Sequence, residues 1–285
     1  MSNAVIEIVP PQAPATSPDA QPATAEDRSL RAPAERTVAI DPGLLTARGL
    51  HPNPENIGRH RDEYRKLRRE VIDAMRSPRP GLAPRNRRVV VLTSALPGDG
   101  KSYTSMSLAL SIARQGTHPV VLVDGDTIKQ TITEALDLSG TPGLIEALAS
   151  PESDPKRLLL PTSMPQLQVL PAGNRTDEAA ELFSNERLGA VFGALHERAR
   201  DVIFVIDTPP ILLSSDTQEM TDLAEQVLLV VRAGVSLQDS VKDAAGRIRE
   251  NIPVGVILNG WEPTVVSERR AYYAYDAYST YKPGK

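Results

Sequence analysis

Residues 98–102 read Gly-Asp-Gly-Lys-Ser. Gly98 and Gly100 let a backbone pass close to an anion with successive N–H groups turned toward it. Lys101 adds an ammonium that reaches the outer phosphates of a nucleoside triphosphate, and Ser102 adds a hydroxyl suited to Mg²⁺. Pro97, Asp99 and Tyr103 lie in or beside the same loop. Three aspartates elsewhere offer matching chemistry. Asp124 and Asp126 form an Asp-x-Asp pair, and Asp207 precedes Thr208-Pro209-Pro210. Carboxylates hold Mg²⁺ directly or through its waters, and they accept protons. Single aspartates are also common helix caps and turn residues. A pair at the end of an apolar run, one strand after a glycine loop, is the stronger signal.

These residues need elements to position them. The apolar, β-branched run 89–92 reads as a buried strand, and an apolar-periodic segment after Ser102 reads as a helix. Strand, glycine loop, Lys-Ser and helix together are the context of a P-loop. The strict pattern has Gly where this chain has Ala95. Residues 119–123 form a second apolar run, ending in Asp124, and 202–206 a third, ending in Asp207 in the Walker B position. Further runs lie at 167–170, 227–231 and 254–258, the last ending in Asn259. Helical segments are expected at 140–149, near 236–250 and over 176–200, the last in two pieces around Ser184-Asn185. Six apolar strands alternating with helices predict an α/β fold. It is a mainly parallel, doubly wound sheet with helices on both faces, of the P-loop NTPase kind. In such folds ligands sit outside the carboxyl ends of the strands.

The flanks read differently. Residues 1–58 are rich in Pro, Ala, Ser and Thr and are expected to form a disordered arm. Residues 59–76 read as a helix with Tyr64, Leu67, Val71 and Met75 along one apolar stripe. Asp62, Arg65 and Arg68 are spaced by three on that helix, which suits i,i+3 ion pairs on a solvated face. A proline-broken linker follows at 77–87. Five of the seven tyrosines, Tyr272, Tyr273, Tyr275, Tyr278 and Tyr281, crowd into 269–285. That stretch lacks aliphatic residues beyond alanine, so it makes a poor core element. A flexible tyrosine-rich tail beside a nucleotide site reads as a substrate for phosphoryl transfer. The expected domains are thus 1–58, 59–268 and 269–285.

A formal charge of −4 gives no case for nucleic acid as a partner. The absence of cysteine excludes disulfides and thiolate zinc sites. His51, His60, His118 and His196 show no metal spacing and read as surface or loop residues. No apolar run reaches the ~18 residues of a membrane span, and no signal-peptide pattern opens the chain, so a cytoplasmic protein is expected.

Taken in order, these motifs resemble the bacterial tyrosine kinases of exopolysaccharide and capsule synthesis, over about residues 59–285. The carriers are 95–102, 121–126, 203–210, Val230-Val231-Arg232-Ala233-Gly234, the strand ending in Asn259-Gly260, and the closing tyrosine cluster. The resemblance implies ATP and Mg²⁺ as cofactors and transfer of the γ-phosphoryl group to the tail tyrosines. Lys101 and the loop from Pro97 to Tyr103 would hold the phosphates; Ser102, Asp126 and Asp207 would serve Mg²⁺. Asp124 would accept the tyrosine proton, in a role exchangeable with Asp126, and Asn259 would touch adenine. The helix Asp62-x-x-Arg65-x-x-Arg68 is similar to the family's Glu-x-x-Arg-x-x-Arg element, which implies a homo-oligomeric ring. Without membrane spans, the chain resembles the split form. Its activator would then be a membrane-embedded polysaccharide chain-length or co-polymerase protein that recruits it to the inner face of the membrane. Two departures stand out: Ile128 replaces the family's Arg, and Asp62 replaces Glu. Two other classes share parts of this pattern. A partition or cell-division ATPase has the same fold but a Lys-Gly-Gly start to its P-loop, where this chain has Leu96-Pro97-Gly98. A nucleotide-binding scaffold without kinase activity draws only on Ile128.

Overall fold

The structure is a computed structural model that describes residues 5–8, 37–76, 88–150, 154–176, 179–196 and 201–261. The first element, β1 (Val5–Ile8), is followed by α1 (Pro42–Ala47) and α2 (Ile57–Arg76). The P-loop unit is β2 (Arg88–Ser94) and α3 (Lys101–Gln115), and β3 (Val120–Asp124) comes next. Then follow α4 (Thr131–Ala135), α5 (Leu144–Ala149), β4 (Leu160–Pro161) and β5 (Leu167–Leu170). The second half holds α6 (Ala179–Leu182), α7 (Asn185–His196), β6 (Ile203–Asp207), α8 (Ser215–Asp222), β7 (Gln226–Arg232), α9 (Gln238–Gly246) and β8 (Val254–Asn259).

The strands form one sheet in the order β1-β8-β7-β2-β6-β3-β5-β4. The six inner strands are parallel, as the apolar runs predict; β1 and β4 close the two edges antiparallel. Strand β2 lies between β7 and β6, so its loop emerges with two strand ends on either side. Alternation along β2 sends Val90 and Leu92 to one face and Val89 and Val91 to the other. One layer holds α2 and α3 with Tyr64, Leu67, Val71, Leu108 and Ile112; the other holds Leu148, Leu188, Phe192, Met220 and Ala244. Helix α3 is enclosed along nearly its whole length, because Ser105, Ser107, Ala109 and Ser111 are small enough for α2 and the sheet to approach together.

Two expectations change. The arm drawn over 1–58 joins the folded body before its end. Val38, Leu45 and Leu50 are buried against the α2–α3 layer, and Asp41 caps α1 by accepting from Gly43 N at 2.7 Å. Three well-spaced apolar residues suffice there, and an average over 58 Pro- and Ala-rich residues hides them. The histidines are also not surface groups as a set: His51, His60 and His196 are buried. His60 lies on the inner stripe of α2, its Nε2 3.0 Å from Ser107 Oγ and its ring 4.4 Å from that of Tyr64. The tail 269–285, with Tyr272, Tyr273, Tyr275, Tyr278 and Tyr281, lies outside the described residues, as does the linker 77–87.

Candidate active site

The β2–α3 loop has the backbone that its glycines allow. Gly98 and Gly100 sit at φ of 91° and 94°, a region L-residues with a side chain rarely enter. Gly100 is the N-cap of α3 and supplies no side chain, so the first N–H groups of that helix stay available to an anion. Ala95 is buried in the core below the loop, which accounts for a methyl group where the strict motif has hydrogen. Lys101 and Ser102 are both 7% exposed and face the interior of the site.

On one side of the loop stand the carboxylates. Strand register sets Asp124 beside Asp207 at the ends of β3 and β6, and Gly125 N donates to Asp207 O at 2.7 Å. Asp126 faces Lys101 Nζ at 3.3 Å, and its Oδ1 accepts from Lys129 N at 2.9 Å. Ser105 Oγ donates to Asp207 Oδ1 at 3.1 Å. Asp124 is fully buried and its Oδ2 takes two bonds from Thr133, from N and from Oγ1, both at 2.8 Å. Burial, then the charge of Asp207, raises the Asp124 carboxyl to about 7. Burial likewise raises Asp207 to about 6, opposed by the Lys101 ammonium and the Ser102 hydroxyl. The Pro-Pro turn after Asp207 is braced on β2: Thr208 Oγ1 donates to Leu92 O at 2.9 Å and Thr93 Oγ1 to Pro209 O at 2.9 Å.

On the other side stand polar residues, most of which belong to no motif that names a nucleotide. Register pairs Arg232 with Asn259 at the ends of β7 and β8. The Asn259 amide donates to Asp99 O at 2.8 Å, Arg232 to Gly98 O at 3.1 Å, and Ser236 Oγ to Asp99 Oδ1 at 2.8 Å. Beyond them opens a cleft of about 300 Å³ whose walls include Thr46, His51, Asn53, Tyr103, Arg232 and Asn259. Three of those residues come from the segment expected to be disordered. Their only sequence signal is the Asn-Pro and His-Pro turn chemistry at 51–54.

No protein-family model matches the chain. Individual proteins do. Tyrosine-protein kinase YwqD of Bacillus subtilis (strain 168) is 30% identical over 218 residues, covering 75% of this chain and 87% of that protein. The chain belongs to the bacterial tyrosine-protein kinases. Tyrosine-protein kinase CpsD of Streptococcus agalactiae serotype Ia is 30% identical over 179 residues, covering 61% of this chain and 75% of that one. The fold agrees with the kinase domain of Escherichia coli tyrosine kinase ETK at a TM-score of 0.63, with 23% identity over 82% of this chain and 87% of that one.

In this kinase the three residues of the α2 motif do not share one role. Asp62 and Arg65 form an exposed ion pair at 3.0 Å. Arg68 turns inward and donates to Ser111 O at 2.8 Å, clamping α2 onto the end of α3. Ile128, where the family has Arg, is 67% exposed on the surface just after the carboxylate pair. No helix among the described residues is long and apolar enough to cross a membrane.

The donor set fits Mg²⁺. The Ser102 hydroxyl and the Asp126 and Asp207 carboxylates offer oxygen donors, and Asp126 Oδ2, 3.3 Å from Lys101 Nζ, and Asp207 Oδ2 are buried without a hydrogen bond of good geometry. Among the described residues no three His, Asp or Glu side chains make a closed cage.

Proposed function

We propose that this kinase transfers the γ-phosphoryl group of ATP to its own tail tyrosines, Tyr272, Tyr273, Tyr275, Tyr278 and Tyr281, mostly between subunits of an oligomer. The observation that carries the reading is the buried cluster of Lys101, Asp126 and Asp207 at the uncapped start of α3. The loop amides and Lys101 hold the β- and γ-phosphates, and the cleft beside Tyr103 takes the nucleoside. Ser102, Asp126 and Asp207 would hold Mg²⁺, whose charge would offset that of the transferring phosphoryl group. The tyrosine oxygen bonds to the γ-phosphorus, the bond to the bridging oxygen breaks, and ADP leaves. The phenolic proton passes to Asp124 or Asp126. A carboxyl raised to about 7 matches a proton acceptor working near neutral pH. Asp124 Oδ2 is held by Thr133 N and Oγ1, whereas Asp126 Oδ2 stands 3.3 Å from Lys101 Nζ.

The wider role we propose is control of exopolysaccharide polymerisation or export, in a cytoplasmic protein recruited to the membrane by a membrane-embedded co-polymerase that activates it. Each phosphate adds about −1.5 to −2 charges. Several on one tail repel each other and loosen its docking in a neighbouring subunit. The Asp62–Arg65 pair is exposed on α2 and open to that neighbour, so Arg65→Ala should shift a ring toward monomer in sedimentation while leaving the melting temperature near wild type.

The deciding experiment is peptide mass spectrometry after incubation with Mg-ATP, beside Lys101→Met, with and without the activator's cytoplasmic segment. Phosphate on residues 272–281, absent from the variant, supports the reading. Hydrolysis without phosphate on protein would replace it with the ATPase class, and binding without hydrolysis with the scaffold.

A further inference from the structure

The residues at the ends of β7 and β8 touch the P-loop at its carbonyls. In a trans peptide the C=O and the following N–H point in opposite directions. The Gly98 carbonyl accepts from Arg232 at 3.1 Å, which turns the Asp99 N–H the other way. The Asp99 carbonyl accepts from Asn259 at 2.8 Å, which turns the Gly100 N–H the other way. The Gly100 carbonyl accepts from Thr104 N at 3.0 Å and Thr104 Oγ1 at 2.9 Å, which directs the Lys101 N–H out of the helix start. Three successive carbonyls are therefore pinned, and three successive amides are aimed. The Asp99 side chain needs the same control, since a carboxylate within a phosphate loop repels the ligand. It is 4% exposed and held on Ser236 Oγ at 2.8 Å, with Leu96 N at 3.5 Å. Ser236 Oγ also accepts from Arg232 N at 2.8 Å, so the β7 end and the serine form one brace.

We infer that Arg232, Ser236 and Asn259 are positioning residues that set the phosphate-binding amides of the P-loop. Asn259 then acts on the phosphates through Asp99 and does not read the base. This rests on the nucleotide-binding reading above and deepens it. It also assigns a reason for Gly100 beyond its backbone angle: a Cβ there would collide with the Asn259 amide.

The test uses the full chain and three probes: MgATP, MgGTP and magnesium tripolyphosphate, each measured by calorimetry or by displacement of a fluorescent nucleotide. Asn259→Ala should weaken all three by the same factor, about tenfold, as expected for one lost carbonyl anchor. Arg232→Ala, a change at an exposed side chain, should do the same to a smaller degree. Ser236→Ala should weaken all three, and Ser236→Thr should restore them. A loss confined to MgATP in Asn259→Ala would overturn the inference and make Asn259 a reader of adenine. Unchanged affinities in all the variants would overturn it too. A wild-type chain that binds none of the probes would sink the nucleotide reading itself, a result distinct from either of the others.

Discussion

The P-loop stands between two register pairs of opposite character. On the β3–β6 side the strand ends set Asp124 beside Asp207, both at 0% exposure. On the β7–β8 side they set Arg232 beside Asn259, one exposed and the other half-buried. The geometry is the same and the environment is not. Burial raises the carboxyls of Asp124 and Asp207 and gives the neighbouring Lys101 its electrostatic leverage. Arg232 and Asn259 lie nearer to solvent, and their hydrogen bonds go to the Gly98 and Asp99 carbonyls of the loop. In the reading proposed above, the buried side would do the chemistry and the wet side would keep it aimed.

The largest way to break this contrast is Lys101→Met. Phosphorylation should fall by about 10²–10³-fold, the usual cost of one preorganised charge donor. A kinase that keeps more than a tenth of its rate would mean that the buried side is not where the charge develops. Next is Gly100→Ala, which joins the two sides. A left-handed φ and the collision with Asn259 should cost about 1–3 kcal/mol of stability and most of the nucleotide affinity, read by thermal melts and calorimetry.

Asp207→Asn separates function from stability. Asp207 has a raised pKa, so between about 4 and about 6 the folded state binds more protons than the unfolded one, and stability falls as pH rises through that window. Removing the carboxylate should abolish phosphorylation yet leave the metal-free protein at pH 7.5 as stable as wild type or more so in urea titrations. A clear loss of stability would show that Asp207 is a structural brace.

The smallest effect tests the mirror image in the α2–α3 seam. Burial, assisted by the charges of His51, Arg114 and Arg61, lowers His60 from 6.5 to about 4. Between those values the unfolded state binds more protons, so stability rises with pH and is lost on acidification from 6.5 toward 4. Melting curves from pH 4.5 to 7 should therefore be flatter in His60→Gln than in wild type. Equal slopes would mean that His60 reaches water when protonated.

Much of this is legible in the order of the residues. The six inner strands, the divided helix 176–200 and the stripe Tyr64, Leu67 and Val71 follow from local apolar patterning, and they stand where expected. Lys101, Ser102, Asp126 and Asp207 meet because each closes or follows a strand of one parallel sheet. Thr133 is not legible in that way: its partner Asp124 lies nine residues away across a loop with no periodicity, and α4 is only five residues long. Ser236 is not legible either, since its partner Asp99 is 137 residues away in the chain.

The sequence by itself determined the class of fold and which residue types gather at the carboxyl edge of the sheet, because motif and strand are contiguous in the chain and carry their own geometry. Tertiary structure alone decided that Arg68 turns inward while Arg65 stays exposed, that three histidines are buried, that Thr46, His51 and Asn53 wall the cleft beside Tyr103, and that Arg232, Ser236 and Asn259 bond to the P-loop. Each of these depends on which strands become neighbours, and the order β8-β7-β2-β6-β3 is set by packing across the whole sheet rather than by any stretch of it.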